Sequence, residues 1–318
     1  MSELKDPQYY DIVIIGGGPA GLTAGMYASR AALKTVLLEK MIPGGQLNNT
    51  HRIENYPGFE SISGAELAEK FANHAKAFGC EIRQETVEEI SCCEDNYKSV
   101  RTDRGNYKAK VVVMAPGGVN RKMDVKGEKE FTGAGVSYCA ICDGAFFRDE
   151  VIAVVGGGDA AVEEGMFLTR FGSKIHIIHR RDELRAKVSL QKEAFANPKI
   201  EFVWDSVVDE VCGDQRVTHV NIKNVKTGEI SRLDVGAVFI LIGFVPNSNL
   251  VKDAVELNPE GYIVTNDKME SSIPGLYAIG DVKPNICKQV SVSVGEGTLA
   301  AVDAERYINH GRTQGWWD

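Results

Sequence analysis

The chain has 318 residues, of which 43% are hydrophobic and 25% are charged, and its formal net charge at pH 7 is −8. This composition is typical of a globular protein and excludes an intrinsically disordered one, and the length is sufficient for two domains of ordinary size. The acidic balance argues against a nucleic-acid-binding surface, which needs an excess of Lys and Arg.

The cysteines and the apolar segments indicate a compartment. The polar start leads directly into a short apolar run, so we expect no signal peptide. The longest apolar stretch, at 238–245, is too short to span a bilayer. Seven cysteines without regular spacing do not fit a secreted disulfide framework. The sequence therefore predicts a cytoplasmic protein with mostly reduced thiols.

The first predicted unit is a strand, a glycine-rich turn, a helix and a second strand. Residues 11–21 read DIVIIGGGPAG, an apolar strand that leads into Gly16, Gly18 and Gly21, and a helical stretch at 19–32 and the strand TVLLEK follow. Such glycines let the backbone approach a pyrophosphate, and the helix N-terminus offers free NH groups to it. Glu39 ends the second strand, where a carboxylate can accept from both ribose hydroxyls. The unit fits a dinucleotide with an unphosphorylated ribose, such as FAD or NAD.

A cysteine pair precedes the second such unit. Residues 135–147 read GVSYCAICDGAFF, with Cys139 and Cys142 three apart and Asp143 directly after them. A pair of this kind can bind a metal, staple a loop or shuttle electrons as a reversible disulfide, and the pair alone does not distinguish these roles. In the redox interpretation a thiolate opens a small disulfide ring and Asp143 moves the accompanying proton.

A metal site at this pair would need further ligands. Structural zinc sites have a second Cys or His pair, and the remaining cysteines do not provide one: Cys80, Cys92, Cys93, Cys212 and Cys287. We interpret the adjacent Cys92 and Cys93 as incidental thiols, and we expect no metal.

The strand–turn–helix–strand pattern recurs at 151–181, with Gly156, Gly158 and Ala161 at the turn. Glu39 lies 23 residues after Gly16, and the residue at the same offset from Gly156 is His179. Arg180 and Arg181 come directly after it. A carboxylate at this place would repel a 2′-phosphate, whereas guanidinium groups bind one in bidentate fashion. The second unit therefore fits NADPH.

The remaining predicted elements complete an α/β fold. VNIKNVKTGEISRLD predicts a hairpin that turns at 226–228, and GAVFILIGFVPN predicts a buried strand closing on Gly243. LYAIGDV predicts a strand ending at Gly280 and Asp281, and a helix is expected from about Val294 to Ile308. We expect two Rossmann-like domains, the second inserted into the first: 1–117 and 245–318 bind FAD, and 118–244 bind NADPH.

Several motifs in order resemble the low-molecular-weight, bacterial-type thioredoxin reductases over nearly the whole chain. They are GGGPAG, GGQL at 44–47, IENYPG at 53–58, GVSYCAICDG, GGGDAAVEE at 156–164, HRRDELRA at 179–186 and AIGDV at 278–282. The chain departs from the family pattern at three places: Ala134, where a basic residue is common in the surface thought to dock thioredoxin, Lys288 and Pro116.

The resemblance, together with the glycine motifs, predicts the site residues. The FAD-binding residues are Gly16, Gly18, Pro19, Ala20, Gly21, Glu39, Gly44, Gly45, Gln46, Leu47, Asn55, Gly280, Asp281, Val282, Gln289 and Val290. The NADPH-binding residues are Gly156, Gly158, Asp159, Ala160, Ala161, His179, Arg180, Arg181, Arg185 and Gly243. The catalytic residues are Cys139, Cys142 and Asp143, with Cys142 on the flavin side and Cys139 attacking the partner's disulfide by resemblance alone.

The resemblance also implies an activity: electrons pass from NADPH through FAD and the cysteine pair to thioredoxin, in a homodimer. It further implies rotation of one domain against the other. We expect Gly117, Gly118 and Gly243 to be the hinges, since glycine absorbs large backbone changes at little cost. Alternatives are a disulfide reductase that serves another thioredoxin-like or peroxiredoxin partner, and a non-catalytic flavin redox sensor.

Overall fold

The computed structural model describes residues 6–92 and 96–317. They form two compact units, one built from the described parts of 1–119 and 245–318 and the other from 120–244. The second unit is thus inserted in the sequence of the first. Cys93 lies outside the described residues, so the interpretation of Cys92 and Cys93 as incidental thiols stays a prediction.

Strands and helices alternate within 8–84 and again within 136–203, and runs of strands lie between and after these stretches. Up to the insertion they are β1 (Gln8–Ile15), α1 (Pro19–Arg30), β2 (Thr35–Glu39), α2 (Gly64–Ala77), β3 (Glu81–Gln84), β4 (Val87–Cys92), β5 (Lys98–Thr102), β6 (Asn106–Met114) and β7 (Gly118–Asn120). In the insertion they are β8 (Val136–Ser137), α3 (Ala140–Asp143), β9 (Val151–Val155), α4 (Asp159–Leu168), β10 (Lys174–Ile178), α5 (Val188–Ala196), β11 (Ile200–Val203), β12 (Ser206–Gly213), β13 (Val217–Asn224), β14 (Ile230–Asp234) and β15 (Ala237–Ile240). After it come β16 (Phe244–Pro246), β17 (Leu276–Ala278) and α6 (Val290–Gln314).

The first unit is a sheet with the strand order β3-β2-β1-β6-β5-β4, and β17 adds to β6. β1 is parallel to both β2 and β6, whereas β4 and β5 continue the sheet in antiparallel fashion. Alternate residues of β1 enter two cores: Ile12 and Ile14 pack with α1 and α6, and Val13 and Ile15 face the opposite layer. This period of two places the end of β1, and the turn after it, between two buried layers.

The inserted unit repeats the parallel arrangement on a smaller scale. Its strand order is β11-β10-β9-β15-β8, and β9 is parallel to β10 and β15. The four C-terminal residues of β9 and all of β15 are buried, as expected for strands covered on both faces. β12, β13 and β14 form a separate antiparallel sheet. The predicted hairpin is confirmed, because β13 and β14 pair around a turn in which the Gly228 NH bonds the Asn224 carbonyl.

The final helix is longer than predicted. α6 runs from Val290 to Gln314 instead of about Val294 to Ile308. It ends at Gly315, which has φ +69°, and the Trp316 NH bonds the Gly311 carbonyl as in a Schellman cap. Two serines near the start, Ser291 and Ser293, and Gly311 near the end concealed these turns. Packing of Ala300, Ala304 and Ile308 against α1 stabilises the helix.

The α/β fold with one Rossmann-like domain inserted into another is confirmed. Among the described residues, no helix is both long enough and apolar enough to cross a membrane.

Candidate nucleotide and disulfide sites

The glycines of the first turn have different structural roles. A Cβ on Gly16, where φ is +105°, would overlap the carbonyl oxygen of Ala115, and a Cβ on Gly21 would overlap the carbonyl oxygen of Gly16. A Cβ on Gly18 would meet nothing within 4 Å, and α1 begins directly after this residue with Pro19 at its first turn. Gly16 and Gly21 are therefore needed for backbone packing, whereas Gly18 leaves open space at a helix N-terminus. This is a cradle that fits a pyrophosphate.

Glu39 is held at the end of β2 by backbone donors. The NH of Gly17 donates to Oε2 at 2.6 Å, and the NH of Met41 donates to Oε1 at 2.9 Å. Each carboxylate oxygen keeps a further lone pair. The group is therefore oriented and still able to accept from ribose hydroxyls.

The predicted flavin loop lies beside this turn. The NH of Gly44 donates to the Gly17 carbonyl at 2.7 Å, and a Cβ on Gly45 would lie 3.2 Å from the Cα of Gly18. The side chain of Gln46 donates to the Gly118 carbonyl at 3.0 Å, and Leu47 is buried. The loop thus continues the same cradle.

Asn55 and Gln289 meet although they are far apart in sequence. The amide of Asn55 donates to Oε1 of Gln289 at 3.1 Å, and Gln289 is the N-cap residue of α6. Both were predicted from the resemblance, and the fold brings them to the N-terminus of one helix, where backbone NH groups favour negative charge.

A buried ion pair supports the turn at Asp281. The NH of Gly280 donates to Oε2 of Glu296 at 2.6 Å, and Nζ of Lys283 donates to Oε1 at 2.8 Å. Burial raises the pKa of Asp281, with Lys288 lowering it to a smaller extent. Sequence reasoning missed Glu296 and Lys283. The signal that was present is a lone glutamate within the run VSVGEGTLAA of α6.

The cysteine pair is joined. Cys139 and Cys142 form a disulfide with a Cα–Cα distance of 5.3 Å, and Cys139 caps α3. Asp143 ends α3, and its Oδ2 accepts from the hydroxyl of Ser137 at 2.6 Å. Burial raises the pKa of Asp143, whereas the Ser137 hydrogen bond lowers it to a smaller extent. The structure therefore unites the three predicted catalytic residues and adds Ser137, which sequence reasoning missed.

The described residues bring no three His, Cys, Asp or Glu side chains together in a way that could hold a metal ion. The cysteines that remain free in this part of the chain are Cys80, Cys92, Cys212 and Cys287.

The second glycine turn has the same arrangement as the first. Gly156 has φ +149°, and its Cβ would lie 2.5 Å from the carbonyl oxygen of Leu241. A Cβ on Gly158 would again meet nothing within 4 Å, and α4 begins directly after it at Asp159. Ala161 is buried where the first unit has Gly21. The open position at a helix N-terminus fits a second pyrophosphate.

His179 lies beneath this turn and the arginines lie outside it. The His179 ring is buried and would overlap a Cβ on Gly157, whereas Arg180, Arg181 and Arg185 are exposed. Burial lowers the pKa of His179, and the three arginines lower it further. The imidazole is therefore neutral near pH 7 and supports the turn. Within residues 6–92 and 96–317, none of these arginines forms an ion pair.

Two other predicted NADPH residues have local partners. Asp159 accepts the NH of Lys187 at 2.7 Å, and the NH of Arg121 donates to the Gly243 carbonyl at 2.9 Å. Gly243 has φ +124°, and its Cβ would lie 3.3 Å from Cδ of Arg121. Gly243 lies shortly after β15 and after Leu241, whose carbonyl packs against Gly156. Gly243 and Gly156 are therefore at the same end of the sheet.

Comparison with known proteins identifies relatives across nearly the whole chain. Residues 10–297 match the family model described as pyridine nucleotide-disulphide oxidoreductase. A thioredoxin reductase of Bacillus subtilis (strain 168) is 46% identical over 306 residues, which are 96% of each chain. The structure of thioredoxin reductase from Streptococcus pyogenes MGAS5005 has a TM-score of 0.92 and 47% identity and covers 96% of this chain and 100% of its own.

A more distant structure agrees: the thioredoxin reductase of Giardia duodenalis has a TM-score of 0.91 at 37% identity, with 95% of this chain and 99% of its own covered. The glycine cradles, the Cys139–Cys142 disulfide and these matches have one explanation. The chain belongs to the pyridine nucleotide-disulphide oxidoreductase family and, within it, to the thioredoxin reductases.

Proposed function

We propose that the protein is a thioredoxin-disulfide reductase that transfers electrons from NADPH through FAD and the Cys139–Cys142 disulfide to the disulfide of thioredoxin. The observation that carries the proposal is the joined cysteine pair with Asp143 in the next position of the same helix. A pair that only stapled a loop would not need a carboxyl group whose pKa is raised by burial.

The first unit has the features that FAD requires. Gly18 leaves room for the pyrophosphate, Glu39 would accept from the adenosine ribose, and Asp281 would bond the ribityl chain. Gln289 and Val290, at the start of α6, would aim backbone NH groups at the pyrimidine edge of the ring. When bound, FAD accepts a hydride from a nicotinamide and passes two electrons to a disulfide.

The second unit has the features that favour NADPH over NADH. Gly158 leaves room for the pyrophosphate, and the exposed guanidinium groups of Arg180, Arg181 and Arg185 are available for a 2′-phosphate. Glu39 of the first unit has no carboxylate counterpart here, because the matching position is His179. No carboxylate therefore occupies the position that corresponds to Glu39.

The cysteine pair relays electrons to the protein substrate. Following the family pattern, Cys142 receives electrons on the flavin side and Cys139 attacks the disulfide of thioredoxin. Asp143 supplies or takes up the proton that accompanies them. Assembly as a homodimer in the cytoplasm and rotation of one domain against the other remain parts of this proposal.

The test is oxidation of NADPH with and without thioredoxin from the same cell. We expect turnover that depends on thioredoxin. In the Cys139→Ser variant, NADPH should still reduce the flavin, because hydride transfer to FAD needs no thiol, while reduction of thioredoxin is lost. Normal thioredoxin turnover in this variant would exclude the relay. Turnover with a peroxiredoxin or another thioredoxin-like protein, but not with thioredoxin, would show that the substrate is a different protein. The proposed role of the Cys139–Cys142 pair would still hold.

A further inference from the structure

Ser137 connects the carboxyl group of Asp143 to the first cysteine. It is the last residue of β8 and is only 4% exposed. Its Oγ lies 2.6 Å from Oδ2 of Asp143, 3.1 Å from the backbone nitrogen of Cys139 and 3.4 Å from the carbonyl oxygen of Cys139. A single buried hydroxyl is therefore shared between the carboxyl group and both backbone groups of Cys139.

The hydroxyl can satisfy either protonation state of Asp143. A serine hydroxyl has one proton to donate and two lone pairs that accept. When Asp143 is a carboxylate, Ser137 donates to it and accepts from the NH of Cys139. When Asp143 is protonated, the carboxyl proton is donated to Oγ and the serine proton turns to the Cys139 carbonyl. No buried polar group loses its partner in either state, which keeps the cost of the change low.

We propose that Ser137 is a positioning residue for Asp143, which fixes the carboxyl beside the disulfide segment and lets it release and regain a proton there. The inference rests on the proposed function. NADPH supplies a hydride: its two electrons break the Cys139–Cys142 bond and leave two thiolates, and its proton is released to solvent. One thiolate takes the proton of Asp143, the other takes a proton from solvent, and Asp143 then regains its proton from solvent.

Two carboxylates near this segment already have partners. α3 contacts α4 and the turn Gly144–Phe146, and that turn has no charged residue. On α4, Oε2 of Glu164 accepts the NH of Ala140 at 2.9 Å. Glu128, from the loop before β8, accepts the hydroxyl of Tyr138 at 2.7 Å. Ser137 is thus the group that bonds the Asp143 side chain directly.

The experiment compares Ser137→Ala with Ser137→Thr, which keeps a hydroxyl. In Ser137→Ala we expect roughly tenfold slower thioredoxin turnover at neutral pH, the loss of about one hydrogen bond to a charged group, with an unchanged KM for thioredoxin. The alkaline limb of the pH profile should move to higher pH, because the carboxylate has lost its donor. In an Asp143→Asn background the same substitution should not move the limb. A folded, FAD-containing Ser137→Ala protein with the wild-type profile would overturn the proposal, and so would a folded Ser137→Thr protein that behaves like Ser137→Ala.

A second measurement needs neither NADPH nor thioredoxin. In the oxidised protein labelled with 13C-aspartate, the carboxyl of Asp143 is titrated by NMR and assigned with Asp143→Asn. Its midpoint should be higher in Ser137→Ala than in the wild type and Ser137→Thr. Equal midpoints in all three proteins would overturn the proposal, whatever the activity assays give. A shifted midpoint in a protein that fails to reduce any thioredoxin would keep the Ser137–Asp143 coupling and reject the proposed function.

Discussion

The backbone NH of Gly17 donates to Oε2 of Glu39 at 2.6 Å, so the second residue of the glycine turn is tied to the end of the neighbouring strand. In the inserted unit the corresponding residues are Gly157 and His179, and there the contact is packing of a buried ring against the glycine. The same backbone geometry is thus supported by an anion in one unit and by a neutral ring in the other. The difference is the structural basis for expecting different nucleotides.

A methyl group at Gly18 should separate cofactor binding from folding. A Cβ at Gly18 has open space and an ordinary φ of −75°, whereas a Cβ at Gly21 would overlap the Gly16 carbonyl. We expect Gly18→Ala to fold but to lose FAD, measured as the ratio of flavin to protein absorbance, with recovery on adding excess FAD. Gly21→Ala should lower the melting temperature whether or not FAD is added. A Gly18→Ala protein with full FAD content would show that the pyrophosphate lies elsewhere.

Gly158→Ala is the matched change in the other unit. It has the same open surroundings, so the FAD content should stay at the wild-type level while the KM for NADPH rises. Loss of FAD in this variant would contradict the assignment of the two cradles.

Removing a guanidinium group should weaken the preference for NADPH. Arg181 is exposed, and a hydrogen bond to a charged group contributes roughly 1.5–3 kcal/mol. We expect Arg181→Ala to lower kcat/KM for NADPH by roughly 10- to 100-fold and to leave NADH nearly unchanged. Equal losses with the two nucleotides would show that the arginine supports the fold of the unit instead.

Asp143→Asn should stabilise the protein while it slows catalysis. Burial raises the pKa of Asp143 above its ordinary value of 3.8, so the folded state binds this proton more tightly than the unfolded state does. The wild type therefore loses stability as pH rises from about 3.8 through the folded pKa. Asparagine does not titrate and can still accept from Ser137.

The measurement is the melting temperature of both proteins across that pH range. The difference in favour of Asp143→Asn should grow as pH rises, and thioredoxin turnover should fall by roughly 100-fold. A constant difference would mean that Asp143 has the same pKa in the folded and unfolded states.

Removing one partner of the Glu296–Lys283 ion pair should destabilise the protein. Glu296→Ala leaves the ammonium of Lys283 and the NH of Gly280 without this partner in a buried place. We expect the free energy of unfolding in urea to fall by roughly 3–5 kcal/mol and FAD to dissociate more readily, since Gly280 precedes Asp281. Glu296→Gln should be milder, because its carbonyl oxygen can still accept the Gly280 NH. Equal losses in both variants would show that the backbone bond contributes nothing.

The parts of the fold that depend on local signals were predictable from the sequence. Gly16 and Gly156 require positive φ and close packing, and each directly follows an apolar strand. The hairpin at 226–228 likewise depends on turn residues. These positions are specified by backbone sterics, which neighbouring residues reveal.

The parts that depend on contacts between distant segments were not predictable in this way. Ser291 and Ser293 near the start of α6 and Gly311 near its end are poor helix formers, and these ends are helical because of packing and a glycine cap. Glu296 meets Gly280 only once α6 is placed. Even Ser137 and Asp143, which are close in sequence, meet only because β8 and α3 bring their side chains together. No residue pattern marks such pairs in advance, because each side chain alone is compatible with an ordinary surface position.

The insertion of one unit into the other has a consequence for synthesis on the ribosome. α1 and the strands up to β6 emerge early, but β17, which pairs with β6, and α6, which covers α1, are made only after the whole inserted unit. At typical translation rates this delay is roughly 10–30 s. The inserted unit is continuous in sequence and can fold during that time. Ile12, Ile14 and Leu22 are not yet covered by Ala300, Ala304 and Ile308, because α6 has not been made. The nascent chain therefore exposes an apolar layer that is covered only when α6 has left the ribosome, and until that stage chaperone binding protects such a chain from aggregation.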